Sequence, residues 1–109
     1  KGVDSKMIAK NNINIFVPQS SIDFNADLDT LFNDFLMFGK IFNKEKEAQD
    51  YVNSEKARVE NIKKSTTGKK EFTYFIYDSG TDKAFTVFEG FTPNLLKLIN
   101  GKNNLLIAG

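Results

Sequence analysis

Six residues crowded between positions 77 and 85 carry most of the chemistry this chain offers: Tyr77, Asp78, Ser79, Asp82, Lys83 and Phe85. They follow an apolar, aromatic run, Glu71 to Asp78 (EFTYFIYD), that reads as a strand. In open α/β sheets, ligands bind beyond the carboxyl ends of strands, so this stretch is the place to expect one. Aromatic rings stack on flat ligands, and Lys83 suits an anionic one. Phe88 and Phe91 extend the same wall. Each residue alone also has a plainer reading. Phe85, Phe88 and Phe91 would serve as core, and 78–82 as an ordinary turn rich in Asp, Ser and Gly.

Several other chemistries are excluded. The chain has no Cys and no His, which removes the usual zinc sites, thiol nucleophiles and imidazole acid–base catalysis. Asp78, Asp82 and Glu89 fall at the first, fifth and twelfth positions of a calcium-loop count, but Lys83 stands where that loop needs glycine, and a strand precedes it instead of a helix. Neither strand is followed by a glycine-rich phosphate loop, so a phosphate-binding enzyme domain is unsupported. Glu45, Glu47, Glu55 and Glu60 lie on a polar helix face, without the arrangement of a paired acid and base. The basic cluster Lys63, Lys64, Lys69 and Lys70 reads as a solvated helix end, and a net charge of +1 gives no pull towards nucleic acid. No cofactor, no metal site and no enzymatic activity are expected.

The element that must position all this is the stretch from Asn43 to Ser65. Numbered as a helix, it puts Ala48, Tyr51, Val52, Val59 and Ile62 in one narrow stripe, with Ala57 opposite. At about 1.5 Å per residue it is roughly 33 Å long, which suits a helix joining two bodies. Asn43 is the predicted N-cap, with Glu45 and Glu47 in the first turn and Lys63 and Lys64 in the last. Neither Pro nor Gly interrupts it, so it should resist bending.

The other elements follow in order. Val3 to Lys10 reads as a weak helix with Val3, Met7 and Ile8 as contacts. Ile13 to Val17 (INIFV), stopped by Pro18, reads as a buried strand, with Pro18 to Ser21 as a second possible ligand-side end. Asn25 to Phe42 reads as a helix with a broad apolar face, capped by Asn25 or Asp27; Gly39 near its end, followed by Asn43, signals a break before the long helix. The strand over 71–78 has apolar residues on both faces and should be covered on both. Ala84 to Phe88 reads equally as a short strand or an ordered loop. Thr92 caps a predicted helix with Pro93 at its first position, ending near Asn100 and closed by Gly101, and Leu105 to Ala108 begins another strand. The order predicts an α/β architecture of three-layer Rossmann-like βα units with a long bridging helix.

The 109 residues, with 40% hydrophobic and 27% charged, suffice for one modest globular core. No apolar run approaches the roughly 20 residues of a membrane span, and no signal peptide is visible. The start at Lys1 and the stop directly after an apolar run predict a piece of a longer protein, with surfaces left uncovered that would drive self-association by exchange of elements between copies.

Two stretches carry a family resemblance. Phe38 to Val52 (FGKIFNKEKEAQDYV), and Tyr77 to Thr86 (YDSGTDKAFT) followed by Phe91 to Asn104 (FTPNLLKLINGKNN), resemble substrate-binding proteins of ABC importers for iron-siderophore, haem and cobalamin. In that family the first leads into a single long helix between two α/β lobes; the second is similar to the first C-lobe strand, its ligand-side loop and the next helix. The resemblance covers about Ile13 to Leu105. It implies a fragment of a two-lobe binding protein: 1–42 the end of the N-lobe, 43–65 the bridging helix, 66–109 the start of the C-lobe. It implies capture of a metal-chelate or corrinoid ligand, small-angle hinge motion, delivery to an ABC permease, and a lipid-anchored lipoprotein parent at the extracellular face of the membrane or in the periplasm. The family's paired glycines appear here as Asn100-Gly101, and its acidic permease-docking residues lie outside this sequence. The other class the residues allow is a small intracellular α/β interaction or regulatory module whose long helix packs against a partner.

Overall fold

The computed structural model describes residues 4–104. Its first helix, α1 (Ser5–Lys10), starts where the Asp4 carboxylate accepts the Lys6 N–H at 2.9 Å and ends at Asn12, which takes a left-handed φ of 52°. It buries no residue; Met7 is exposed and Ile8 half-buried, while Val3 lies outside the described residues.

The predicted strand over Ile13–Val17 does not form: the segment is irregular and runs into a single 3-10 turn, Gln19–Ser21. A strand exists only when paired, and no described segment offers this one a ladder. Ile13, Ile15 and Val17 remain 59%, 54% and 52% exposed. Phe16 is half-buried and meets the Phe38 ring edge-on at 5.0 Å.

Helix α2 (Leu28–Ile41) is capped by Asp27, not Asn25: its carboxylate accepts the Thr30 N–H at 2.9 Å, and the Thr30 hydroxyl accepts the Asp27 N–H at 3.4 Å. Gly39 lies inside α2, shortly before the predicted break. It is buried within the helix, where a Cβ would stand 2.5 Å from the Ala48 Cβ. The reversal comes afterwards, over Phe42–Lys44, with Asn43 at φ 55°. Asn43 thus makes the turn, and Lys44 takes the N-cap place without a capping side chain.

Helix α3 (Glu45–Thr66) is the long predicted element, an unbroken helix of 22 residues. Val52 is buried, Ala48 and Val59 are half-buried, and Ala57 is exposed on the other side. Tyr51 packs on Phe35 with ring centroids 5.1 Å apart. The polar face holds exposed ion pairs such as Lys46–Asp50 and Lys63–Glu60, of little energetic weight.

After α3 the chain forms β1 (Phe72–Tyr74), a hairpin of β2 (Tyr77–Ser79) and β3 (Phe85–Thr86), helix α4 (Phe91–Lys97) and β4 (Gly101–Asn103). Strand β4 returns parallel to β1 in the register Phe72–Gly101, Thr73–Lys102 and Tyr74–Asn103, a crossover that makes this half α/β. The single strand predicted over 71–78 is therefore two, parted at Phe75–Ile76, because β1 pairs forward with β4 and β2 pairs with its own hairpin partner. It is not covered on both faces: Phe72, Phe75 and Tyr77 are exposed. Helix α4 opens at Gly90, φ 96°, with Pro93 in its first turn instead of at its first position. Gly101, predicted to close a helix, begins β4, and the strand predicted at Leu105–Ala108 lies outside the described residues. The buried side chains Ala26, Phe32, Val52 and Pro93 come from α2 with its entry, from α3 and from α4.

Candidate ligand-binding site

The hairpin places the predicted site residues at the end of β1, where the chain leaves the parallel pair. Tyr77, Asp78 and Ser79 make up β2, and all three are exposed. Tyr77 pairs with Thr86 and Ser79 with Phe85, so Phe85 is brought back beside β2 with one irregularity in the ladder. Asp82 and Lys83 occupy the exposed loop between the strands. The loop can close only on glycine. Gly80 sits at φ 109°, and a Cβ there would come within 1.9 Å of the Lys83 carbonyl oxygen. The Tyr77 hydroxyl donates to the Gly80 carbonyl, and the Ser79 hydroxyl donates to the Asp78 carboxylate at 3.0 Å.

Two bonds moor the hairpin. The Val87 N–H donates to the Ile76 carbonyl at 3.3 Å, and the buried Asn103 side chain on β4 donates to the Val87 carbonyl at 3.2 Å. The result is a moored turn with outward rings: Tyr77 is 56% and Phe85 64% exposed. Among the described residues no ion pair engages Asp78, Asp82 or Lys83, so their charges face solvent. The structure thus gathers all six predicted residues on one short hairpin. Phe88 is exposed nearby in sequence, whereas Phe91 is half-buried at the start of α4. The arrangement can stack, pair charge and hydrogen-bond; it contains no proton relay. The other predicted ligand-side end, Pro18 to Ser21, does not follow a strand.

Sequence reasoning missed a second feature. Where the entry of α2, the middle of α3 and α4 converge lies a groove of about 230 Å³, with Asp29, Phe32, Lys56, Val59, Asn94 and Leu98 among its lining residues. Lys56 crosses it, pairing with Asp29 at 3.3 Å and lying 5.7 Å over the Phe32 ring. The stripe residue Val59 was the available signal, but nothing in the spacing says that α4 returns to it.

A further missed residue is Asp34. Buried on α2, its two carboxylate oxygens accept the backbone N–H groups of Gln19 and Ser20, both at 2.8 Å. Burial pushes its pKa up, but the hydrogen bonds from Ser20 and Gln19 outweigh burial and hold it below the ordinary value.

The parallel β1–β4 pair, the long helix and the hairpin together make up part of a periplasmic-binding-protein fold. The chain is similar to a periplasmic binding protein of Veillonella parvula, with a TM-score of 0.86 and 33% identity over 91% of this chain and 33% of that one. It also superposes on an ABC transporter substrate-binding protein of Listeria monocytogenes (TM-score 0.71, 17% identity, 90% of this chain and 36% of that one). A third solved structure, described as a possible iron-binding (periplasmic solute-binding) protein of Staphylococcus epidermidis, gives a TM-score of 0.71 at 21% identity, over 90% of this chain and 37% of that one. The last two likenesses speak for the fold alone. The chain spans about a third of the length of the solved structures it matches. No protein-family model and no curated protein matches the sequence.

Proposed function

We propose that this chain is the central part of a solute-binding protein of an ABC importer, acting by binding and not by catalysis. Residues 1–42 end one lobe, 43–65 bridge, and 66–109 begin the second lobe. The ligand is a metal-chelate of the iron-siderophore, haem or cobalamin kind, held against Tyr77, Asp78, Ser79, Asp82, Lys83 and Phe85, and passed to a membrane permease. The observation that carries the reading is the long helix leading into a parallel strand pair with an exposed aromatic hairpin at its end, in a chain whose fold as a whole is similar to the Veillonella protein. Rings left in water on a moored turn suit a flat, partly apolar ligand, and Lys83 beside them suits its anionic groups. The uninterrupted α3 favours small-angle movement between lobes. The place of action is outside the cytoplasm, at the membrane face or in the periplasm, on a lipid-anchored parent. Among the described residues no helix is long and apolar enough to cross a membrane.

The test is NMR titration of the chain with a gallium(III)-loaded siderophore, protoporphyrin and cyanocobalamin in turn. One of the three should shift the amides of residues 77–86 selectively, and Tyr77→Ala with Lys83→Ala should weaken that response about tenfold or more. Unmoved hairpin amides at millimolar ligand would refute the site. The second reading, an interaction or regulatory module inside the cell, draws on the exposed rings Phe38, Phe42 and Tyr51 where α2 and α3 meet; shifts confined to that face on adding a partner would favour it.

A further inference from the structure

Three asparagines in the segment from α4 to β4 each aim a side-chain amide at a backbone carbonyl of another part of the chain. Asn100 reaches Thr66 at the end of α3, Asn103 reaches Val87, and Asn94 reaches furthest in sequence. The Asn94 Nδ2 donates to the Ala26 carbonyl at 3.0 Å and the Asn25 carbonyl at 3.3 Å, both in the turn that enters α2. Its other end is fixed as well: the Lys97 ammonium donates to the Asn94 Oδ1 at 3.2 Å, which leaves the NH2 group facing the two carbonyls. The contact is firm on both sides. Ala26 and Pro93 are fully buried, and the Phe24 carbonyl lies 3.5 Å from where a Cβ on Gly90 would stand.

The two segments so joined lie before and after the long helix in sequence and meet over its middle. Asn25 and Ala26 lead into α2, which packs along the first half of α3. Asn94 sits on α4, which follows the hairpin and carries the chain into β4. Beneath the Asn94 contact lies the groove of about 230 Å³, so α4 is not packed tightly onto α2 and α3 there. We propose that Asn94 is a positioning residue: its side-chain amide latches α4 to the entry of α2 and so sets the distance between the α2 side and the ligand hairpin. The inference rests on the two-lobe reading above only for what that distance governs. The latch itself is a statement about this chain without ligand.

Because the chain has no native cysteine, spin labels can be placed uniquely at the exposed positions Lys40→Cys and Lys83→Cys. The labelled chain is diluted into unlabelled chain, so the measured distance lies within one copy. With Asn94 intact, one narrow distance distribution is expected. Asn94→Ala broadens it towards longer distances. Asn94→Asp is the deciding variant, because it keeps the shape and removes the donor, leaving a carboxylate against two carbonyl oxygens. A latch predicts that Asp behaves like Ala; mere space-filling predicts that Asp behaves like Asn, and that result overturns the proposal. Should either variant unfold, the unsubstituted chain decides. The Asn94 side-chain amide protons should exchange with water at least fivefold more slowly than those of an exposed asparagine, as hydrogen-bonded donors do. Exchange at the free rate overturns the latch. These readouts need no chelate, so the latch and the ligand assignment fail or stand separately.

Discussion

A carboxylate buried on a helix is unfavourable unless donors meet it, and Asp34 is met by two backbone N–H groups that would otherwise be orphaned at the start of the 3-10 turn. The residue therefore ties the irregular segment Ile13–Ser21 to α2, in place of the strand pairing that segment lacks. Asp34→Ala removes both acceptors and is expected to cost about 2 kcal/mol, read as a lower chemical-denaturation midpoint. The same geometry fixes a pH dependence. The folded-state pKa of Asp34 lies below its ordinary value of 3.8, so the stabilisation is complete above that value and is lost as pH falls through the folded one. The cap residue Asp27 shifts in the same direction, chiefly through its backbone hydrogen bond from Thr30. Stability should thus hold flat from neutral pH down to about pH 4 and then decline. In Asp34→Asn the acid limb should be shallower, and an unchanged limb would remove Asp34 from the account.

At the level of elements, the α2–α3 pair depends on one missing methyl group. At Gly39 and Ala48 the two helices approach tightly, and a Cβ at 39 would overlap that of Ala48 at 2.5 Å. Both atoms are fixed to helix backbone, so relief requires the helices to part. Gly39→Ala gains up to about 1 kcal/mol of helix propensity but should lose about 1–3 kcal/mol to overpacking, a net fall in melting temperature. Adding Ala48→Gly vacates the site and should restore most of the loss; a double variant no better than the single one would show that the close approach is not the cause. The same pair shows what was legible in advance. The stripe Ala48, Tyr51, Val52, Val59 and Ile62 is written in α3 itself, and the Asp27 cap sits four residues from Leu31, so helices could be read from local spacing. The strand over Ile13–Val17 could not, because β-propensity without a ladder partner decides nothing. Glu71 to Asp78 reads as one strand in composition, yet its two halves take different partners, Gly101–Asn103 and Phe85–Thr86. The candidate ligand residues were legible as a group, since Asp78, Ser79 and Gly80 mark the turn that gathers them. Asn94 and Asp34 were not, for their partners lie 68 and 15 residues away.

At the scale of the whole molecule the surface is too large for the chain. Its accessible area is 8707 Å², where a compact monomer of this mass exposes about 6,100 Å². The radius of gyration is 18.2 Å, against about 13 Å for a compact domain of this length. The excess of about 2,600 Å² matches the largest permanent interfaces, which take about 1,000–2,500 Å² or more from each partner. It is apolar where it counts: Ile13, Ile15 and Val17 before α2, Phe38 on it and Phe42 just after it, Ile62 on α3, and Phe72 and Phe75 in and after β1 are all exposed. With a net charge of +1, copies of the chain do not repel one another appreciably. The 109-residue chain by itself is therefore expected to self-associate, each copy covering the other's uncovered helix and strand faces. Sedimentation at tens of micromolar should give a dimer or larger species that dissociates on dilution. A monomer mass with a scattering radius near 18 Å would mean that the open form tolerates water, and would refute self-association. A monomer near 13 Å would refute it differently, by showing that the chain folds back on its own apolar faces, and α4 would then have to leave the entry of α2 or carry it along.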